Sequence, residues 1–364
     1  MRYRPLGPSG VSVSELSFGC GRLPADDADS TRVIQAAIAA GCNYFETASF
    51  YCDGQCQQKT GVGVRGATDQ VMVSAKIGVE PTTTADSYRK ELERQLSVLG
   101  VDRVAWLQVG WLSLENLPYL TQPGGALEAI HTAMDEGLVA HIGFTGHDTP
   151  EHFIEILKTG IFESMTVSYH LLNRVYEPAI AVAHELGVGV IAMNPVGGGM
   201  LSAPAAELQR LIPGGAATTA ALALRFVLAN PGISTACSGM GSVAQVEENA
   251  ATVALASEQD IDDHLHMMNV LNQFKQLGDT FCTGCRYCMD CPHGVDIPGN
   301  FYLYNLHTVY GLRDHARANY TAMEPGKRAS ACTRCGECEQ KCPNKLPIIA
   351  QLDTVRGLFE GNVV

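Results

Sequence analysis

The sequence predicts an α/β protein: an eight-stranded (β/α)8 barrel followed by a small cysteine-rich domain. Three observations carry this. Eight short apolar runs alternate with segments of helical period between Glu15 and about Leu255, which is the pattern of repeated βα units on a parallel sheet. The chain has 364 residues, enough for one large barrel and an appendage without straining the usual domain size. Of its 13 cysteines, eight fall into two tight groups beyond Phe281.

The first segment, Met1–Val13, precedes the first run and is expected to form a hairpin over the barrel's bottom. The runs follow as Glu15–Cys20, Asn43–Ala48, Val71–Ile77, Val104–Gly110, His141–Gly146, Met165–His170, Val188–Pro195 and Ser234–Gly239. Between them lie the amphipathic segments Ser30–Ala40, Asp86–Leu99, Glu128–Glu136, Pro150–Lys158, Pro178–Leu186 and Val243–Leu255. Eight such units close into a TIM barrel, whose chemistry sits at the C-terminal ends of the strands. Ser257–Leu277 has a helical pattern rich in Asp, His and Met and runs into the first cysteine group. The expected division is therefore a barrel over 1–256, a helical connector over 257–280 and a separate domain over 281–364. Past Phe281, Cys, Gly and Pro are closely spaced around one helix-like insert near Asn300–Tyr310. With too few apolar residues for an independent core, this part is expected to depend on bound metal.

Composition excludes several function classes. The chain is 46% hydrophobic and 17% charged, with a formal net charge of -13. That charge repels nucleic acid and anionic membrane surfaces, and no basic run offsets it. Met1–Ser17 has no continuous apolar core, and Arg225 breaks the apolar stretch Ala220–Ala229, so neither a leader nor a membrane span is read. A cytoplasmic location is the expectation, and a small molecule the expected substrate.

The cysteine groups are Cys282, Cys285, Cys288, Cys291-Pro292 and Cys332, Cys335, Cys338, Cys342-Pro343. Two runs of four, each ending in Cys-Pro, predict two 4Fe–4S clusters in a dicluster ferredoxin-like domain: three close thiolates cap one cube and the fourth crosses to the other. Cluster one then takes Cys282, Cys285, Cys288 and Cys342; cluster two takes Cys332, Cys335, Cys338 and Cys291. Four-cysteine zinc sites are the bland alternative, but those use separated Cys-x-x-Cys pairs. The last gap of the first run is one residue shorter than the bacterial ferredoxin spacing. Among the remaining cysteines, Cys20, Cys42 and Cys237 read as small buried hydrophobes. Cys52 and Cys56, in the loop after the second run, are placed where a redox or ligating role is open.

That second run reads Asn43-Tyr-Phe-Glu46-Thr-Ala-Ser-Phe-Tyr51, and the third ends Val71-Met-Val-Ser-Ala-Lys76. With Met1-Arg-Tyr-Arg-Pro-Leu-Gly, Gly137-Leu-Val-Ala-His-Ile-Gly143 and Glu247-Glu-Asn249, the chain resembles the aldo/keto reductase family, over essentially the whole barrel. The cysteine runs make it similar to the branch of that family bearing a ferredoxin-like domain. The resemblance implies that Tyr51 donates a proton to a substrate carbonyl, that Lys76 lowers the Tyr51 pKa from its ordinary value near 10, and that Glu46 holds Lys76. Glu46 stands where the family has Asp, and Gly110 where it has a histidine that orients the carbonyl; His147 or His170 is the candidate to replace it. The nicotinamide anchors are matched by Thr145, Gly146 and Thr166, with Asn194 and Asn249 as further cofactor candidates. Gly239–Gln245 carries no Lys or Arg to clamp a phosphate, so at most weak NAD(P) binding is expected, without preference for NADP.

The leading expectation is an iron–sulfur oxidoreductase acting on a small carbonyl or alcohol substrate, its two clusters relaying electrons from an external carrier such as a ferredoxin. An ordinary NAD(P)-dependent aldo/keto reductase with structural or sensory clusters is the alternative, and a catalytically inactive barrel serving as a docking or sensor protein is another. Protein prepared without oxygen should hold about eight irons and about eight acid-labile sulfides per chain. Stoichiometric zinc without sulfide would contradict that expectation.

Overall fold

The computed structural model describes residues 1–211, 215–255, 262, 265–271, 288–289, 291–308, 310–342 and 346–361. A short antiparallel hairpin, β1 (Tyr3–Pro5) and β2 (Ser12–Ser14), opens the chain. Eight parallel strands follow: β3 (Leu16–Gly19), β4 (Tyr44–Glu46), β5 (Met72–Gly78), β6 (Val104–Gly110), β7 (Val139–Thr145), β8 (Ser164–Ser168), β9 (Gly189–Met193) and β10 (Thr235–Ser238). They close in chain order, with β10 returning to pair β3 through Ala236 and Leu16. Every expected run is a strand, shifted by no more than two residues at its ends.

Local chemistry starts and stops the surrounding helices. Asp26 caps α1 (Asp27–Ala39) by accepting from Asp29 N. After α2 (Cys56–Gly63), a reciprocal Thr84–Ser87 capping box opens α3 (Ala85–Leu99), and Gly100 ends it in the left-handed conformation. Tyr88, Leu92, Leu96 and Leu99 form the buried stripe of α3, spaced at helical period.

The hairpin closes the bottom of the barrel as expected. Leu6 is buried in a cluster with Val13, Tyr44, Trp106 and Ile191. Arg4 spans the gap: it pairs with buried Glu15 at 2.6 Å and donates to the carbonyls of Leu228 and Ile233 at 2.7 and 2.8 Å. At the turn, Gly7 has φ +65°, and a Cβ there would stand 2.2 Å from the Glu163 carbonyl oxygen.

The chain divides into two compact units, Met1–Gly199 with Ala223–Ile261, and Met200–Leu222 with Asp262–Val364. Most of the expected connector lies outside the described residues, as do Cys282 and Cys285. In the second unit, helices Ile297–Thr308, Arg313–Ala322 and Ile348–Glu360 pack together. Phe301, Leu306, Leu312, Tyr320, Ile348 and Leu352 are buried there. This corrects the expectation that the tail lacks a core. Its apolar residues are thinly spread in sequence, but three helices bring them to one side.

Among the described residues no helix is long and apolar enough to cross a membrane. Replacing Gly7 with Val forces both a positive φ and a backbone collision, so stability should fall by about 3 kcal/mol or more. A urea unfolding curve followed by far-ultraviolet circular dichroism would show it; an unchanged midpoint would mean the hairpin does not seat as described.

Candidate functional site

The barrel's register assembles the first group. Glu46 ends β4 opposite Ser74 of β5, and Lys76 lies two residues further along β5. Tyr51 follows β4 in a one-turn segment, Tyr51–Gly54. Lys76 Nζ donates to Glu46 Oε1 at 2.8 Å and to the Tyr51 hydroxyl at 3.1 Å. Lys76 and Glu46 are each 5% exposed, so neither can lose its partner cheaply; breaking a buried pair costs about 3–5 kcal/mol. Because Lys76 occupies an acceptor site on the phenol oxygen, the phenolic proton is left for another acceptor. Glu46 Oε2 is buried without a hydrogen-bond partner.

The electrostatics differ from the sequence-based expectation. Burial pushes the Tyr51 phenol up, Lys76 pulls it down only in part, and Glu46 pushes it up again; the net direction is upward. The expectation that Lys76 brings the phenol down toward neutrality is therefore corrected, because sequence does not show how much water the phenol loses. Burial also opposes the Lys76 charge, yet Glu46 and Tyr51 outweigh it and hold the ammonium above the ordinary lysine range. At neutral pH this is a protonated phenol beside a permanent cation, suited to donate a proton rather than take one.

Gly110 has a steric reason. A Cβ at that position would meet Lys76 Cγ at 2.9 Å, so a histidine there would displace the lysine chain. Of the two candidates to replace it, His147 is exposed after β7. His170, after β8, is buried, and burial lowers its pKa to about 4, which keeps it neutral. Its Nδ1 accepts from Leu172 N at 3.3 Å. Neither hydrogen-bonds the Tyr51–Lys76–Glu46 group among the described residues.

The cofactor candidates are divided. Thr145 and Thr166 are paired neighbours on β7 and β8, both buried, and Thr166 Oγ1 has no partner among the described residues. Asn194 is exposed with φ +55°. Asn249, on helix Val243–Ala254, spends its amide on Ser238 Oγ at 3.4 Å. The expectation that no cation reaches Gly239–Gln245 is corrected: Arg22 packs its chain against Gly239, and its guanidinium donates to the Gly198 carbonyl at 3.4 Å. The cation comes from the loop after β3, far away in sequence.

Behind Lys76 stands a polar network that the motifs did not announce. Thr47 Oγ1 donates to Ser74 O at 2.6 Å, Gln57 donates to Gln95 at 2.7 Å, and Gln95 Nε2 donates to Lys76 O at 3.1 Å. The available signal was Gln95, a polar residue inside the apolar stripe of α3.

In the second unit, Cys291, Cys332, Cys335 and Cys338 line one hollow together with Cys288. These four are the set expected for cluster two. Arg334 and Gly336 take left-handed backbone and coil the loop between the cysteines. Ile297, Ile349 and Leu352 wall the hollow with hydrocarbon. Thiolate donors gathered at one hollow are the donor set that would hold a cubane, with Cys291 reaching it from the first run. Cys342 is buried after helix Glu337–Lys341.

Comparison with known proteins agrees. A model of the aldo/keto reductase family matches residues 15–264, and a model of the 4Fe-4S dicluster domain matches residues 281–346. L-galactose dehydrogenase of Arabidopsis thaliana is 26% identical, over 70% of this chain and 88% of that one. Pyridoxine 4-dehydrogenase of Escherichia coli is 25% identical, over 69% and 93%. Among solved structures, the holo form of an aldo-keto reductase from Bacillus halodurans superposes with a TM-score of 0.65 at 25% identity, over 74% of this chain and 96% of that one.

If Tyr51 is the acid, Tyr51→Phe should lower kcat by about 10²–10⁴-fold with little change in KM. Activity that needs the protonated phenol is present below its pKa and lost as pH rises through it. The upward shift therefore places the alkaline limb above the ordinary phenol value of about 10. Lys76→Met removes the group that pulls the phenol down, so the limb should move higher still; a downward move would contradict the assignment.

Proposed function

The chain belongs to the aldo/keto reductase family and carries a 4Fe-4S dicluster domain, and from that premise we propose that it is an iron–sulfur oxidoreductase of small carbonyl or alcohol substrates in which Tyr51 is the proton donor. The single observation that carries the reading is Lys76 bridging Glu46 and Tyr51 at 2.8 and 3.1 Å inside the barrel's mouth. Reduction of a carbonyl to an alcohol takes two electrons and two protons. Tyr51 supplies the proton at oxygen and solvent water the proton that ends on carbon, while Lys76 holds the phenol in place and stabilises the negative charge left on it. Glu46 keeps Lys76 charged in a site that otherwise disfavours charge. Thr47, Gln57 and Gln95 fix the strand ends that carry the group. The clusters, when bound by the eight cysteines, supply single electrons, and their source is an external carrier. The names of the relatives, dehydrogenases of L-galactose and of pyridoxine, support an alcohol or carbonyl substrate. A buried, intact ion pair also speaks against an inactive barrel, since apolar replacements would be no less stable.

A second reading rests on Arg22 and Thr166. A guanidinium beside the Gly198 carbonyl, on a side chain whose Cβ and Cγ pack against Gly239, could serve a phosphate, and a buried hydroxyl unpartnered among the described residues could serve a carboxamide. These favour nicotinamide as the electron source, with the clusters structural or sensory.

One experiment separates them. With reduced methyl viologen as electron source and no nicotinamide, the anaerobic holoprotein should reduce small aldehydes or ketones. NADH and NADPH should each bind weakly. A dissociation constant of about 1 µM or below for NADPH, roughly tenfold tighter than for NADH, would overturn the leading reading in favour of the second.

A further inference from the structure

Three thiols meet beside the proposed acid, and nothing in the proton-transfer scheme uses them. Cys52 immediately follows Tyr51, Cys56 opens α2, and Cys20 ends the approach from β3. The Cys52 and Cys56 thiols both lie on the Cys20 carbonyl oxygen, at 3.4 and 3.5 Å, which keeps their sulfurs within about 7 Å of each other. Each of the two thiols donates to that one carbonyl oxygen, and Cys56 Sγ also lies 4.0 Å from Thr60 Oγ1. Two thiols on one carbonyl oxygen are close enough for covalent pairing to be the chemistry open to them.

The three are not equivalent. Cys20 and Cys56 are fully buried, whereas Cys52 is partly exposed. The backbone at Cys52 and Asp53 is left-handed, with φ +53° at both, an uncommon conformation for two successive non-glycine residues and one that stores strain. Hydrogen bonds from Cys20, the Ala48 backbone and Thr60 favour the Cys56 thiolate against its burial, while burial pushes Cys20 well up.

We infer that Cys52 and Cys56 are a redox-active dithiol, reached through Cys52 by low-molecular-weight disulfides, whose closure to a disulfide displaces Tyr51. Cys52 attacks the small disulfide and releases one half as a thiol; Cys56 then displaces the other half. One S–S bond breaks and one forms. The protein loses two electrons and two protons, and the two released thiols carry them away. Cys52 attacks because it is the thiol that solvent reaches, although burial and the neighbouring Cys56 push it up, and Cys56, favoured as thiolate, then resolves the mixed disulfide. A disulfide draws the sulfurs to about 2.05 Å, so Cys52 must leave the Cys20 carbonyl and take the adjoining Tyr51 with it. The Tyr51 ring rests on Gly21, where a Cβ would meet it at 3.3 Å. A shift of about 1 Å there is enough to cost about 10²-fold in a preorganised site.

The effect on turnover rests on the role proposed for Tyr51; the bond itself does not. Anaerobic holoprotein is treated with bis(2-hydroxyethyl) disulfide, alkylated, digested and mapped by mass spectrometry. The expected result is a Cys52–Cys56 bond, formed equally in Tyr51→Phe, and in the wild type a loss of viologen-driven aldehyde reduction that dithiothreitol reverses with the clusters' absorbance unchanged. Cys56→Ser should instead trap the mixed disulfide on Cys52. Free, alkylated Cys52 and Cys56 after treatment, or a Cys20–Cys56 bond, would overturn the assignment. A fully active enzyme carrying the bond would overturn the displacement of Tyr51.

Discussion

The barrel's mouth is organised around keeping one ammonium charged while out of water. Lys76 and Glu46 are buried together at 2.8 Å, and an isolated charge at either position would shift its protonation instead of staying ionised. The ion pair fixes the lysine, the lysine fixes the phenol, and the phenol oxygen is left with a proton to give. Even the missing histidine follows from this, because Gly110 clears the space that the Lys76 chain occupies. Glu46 reaches Lys76 at hydrogen-bond distance, and its Oε2 has no partner among the described residues.

Much of this was legible in sequence, for a physical reason. Strands buried on both faces read as unbroken apolar runs, so all eight appear where the runs are, and Pro150–Lys158 begins where its Thr149 cap and proline dictate. The Tyr51–Lys76–Glu46 grouping was legible because adjacent parallel strands bring strand ends together. What could not be read is what depends on distance in space or on solvent. Arg22 is over two hundred positions from Gly239 in the chain, and no local pattern links them. The direction of the Tyr51 shift depends on lost hydration, which no residue string records. The three-thiol meeting joins Cys20, read as a plain buried residue, to two loop cysteines through a carbonyl.

The C-terminal part shows the opposite bias. Its cysteine spacing announced a dicluster domain, and cysteines of both runs, Cys288 and Cys291 with Cys332, Cys335 and Cys338, line one hollow. Its apolar core went unseen because the residues are scattered over three helices rather than gathered in one run. Hydrophobic packing thus does part of the work of holding this unit that the sequence alone would leave to bound metal.

The account's central claim is that burial outweighs Lys76 and keeps the Tyr51 phenol protonated through neutral pH. Carbon-13 NMR of protein labelled at tyrosine Cζ, with the Tyr51 signal assigned by its absence from Tyr51→Phe, measures this directly. The account predicts that the Tyr51 signal titrates above the ordinary value of about 10. Titration below that value would mean that the lysine, not burial, sets the phenol's charge, and would contradict the account.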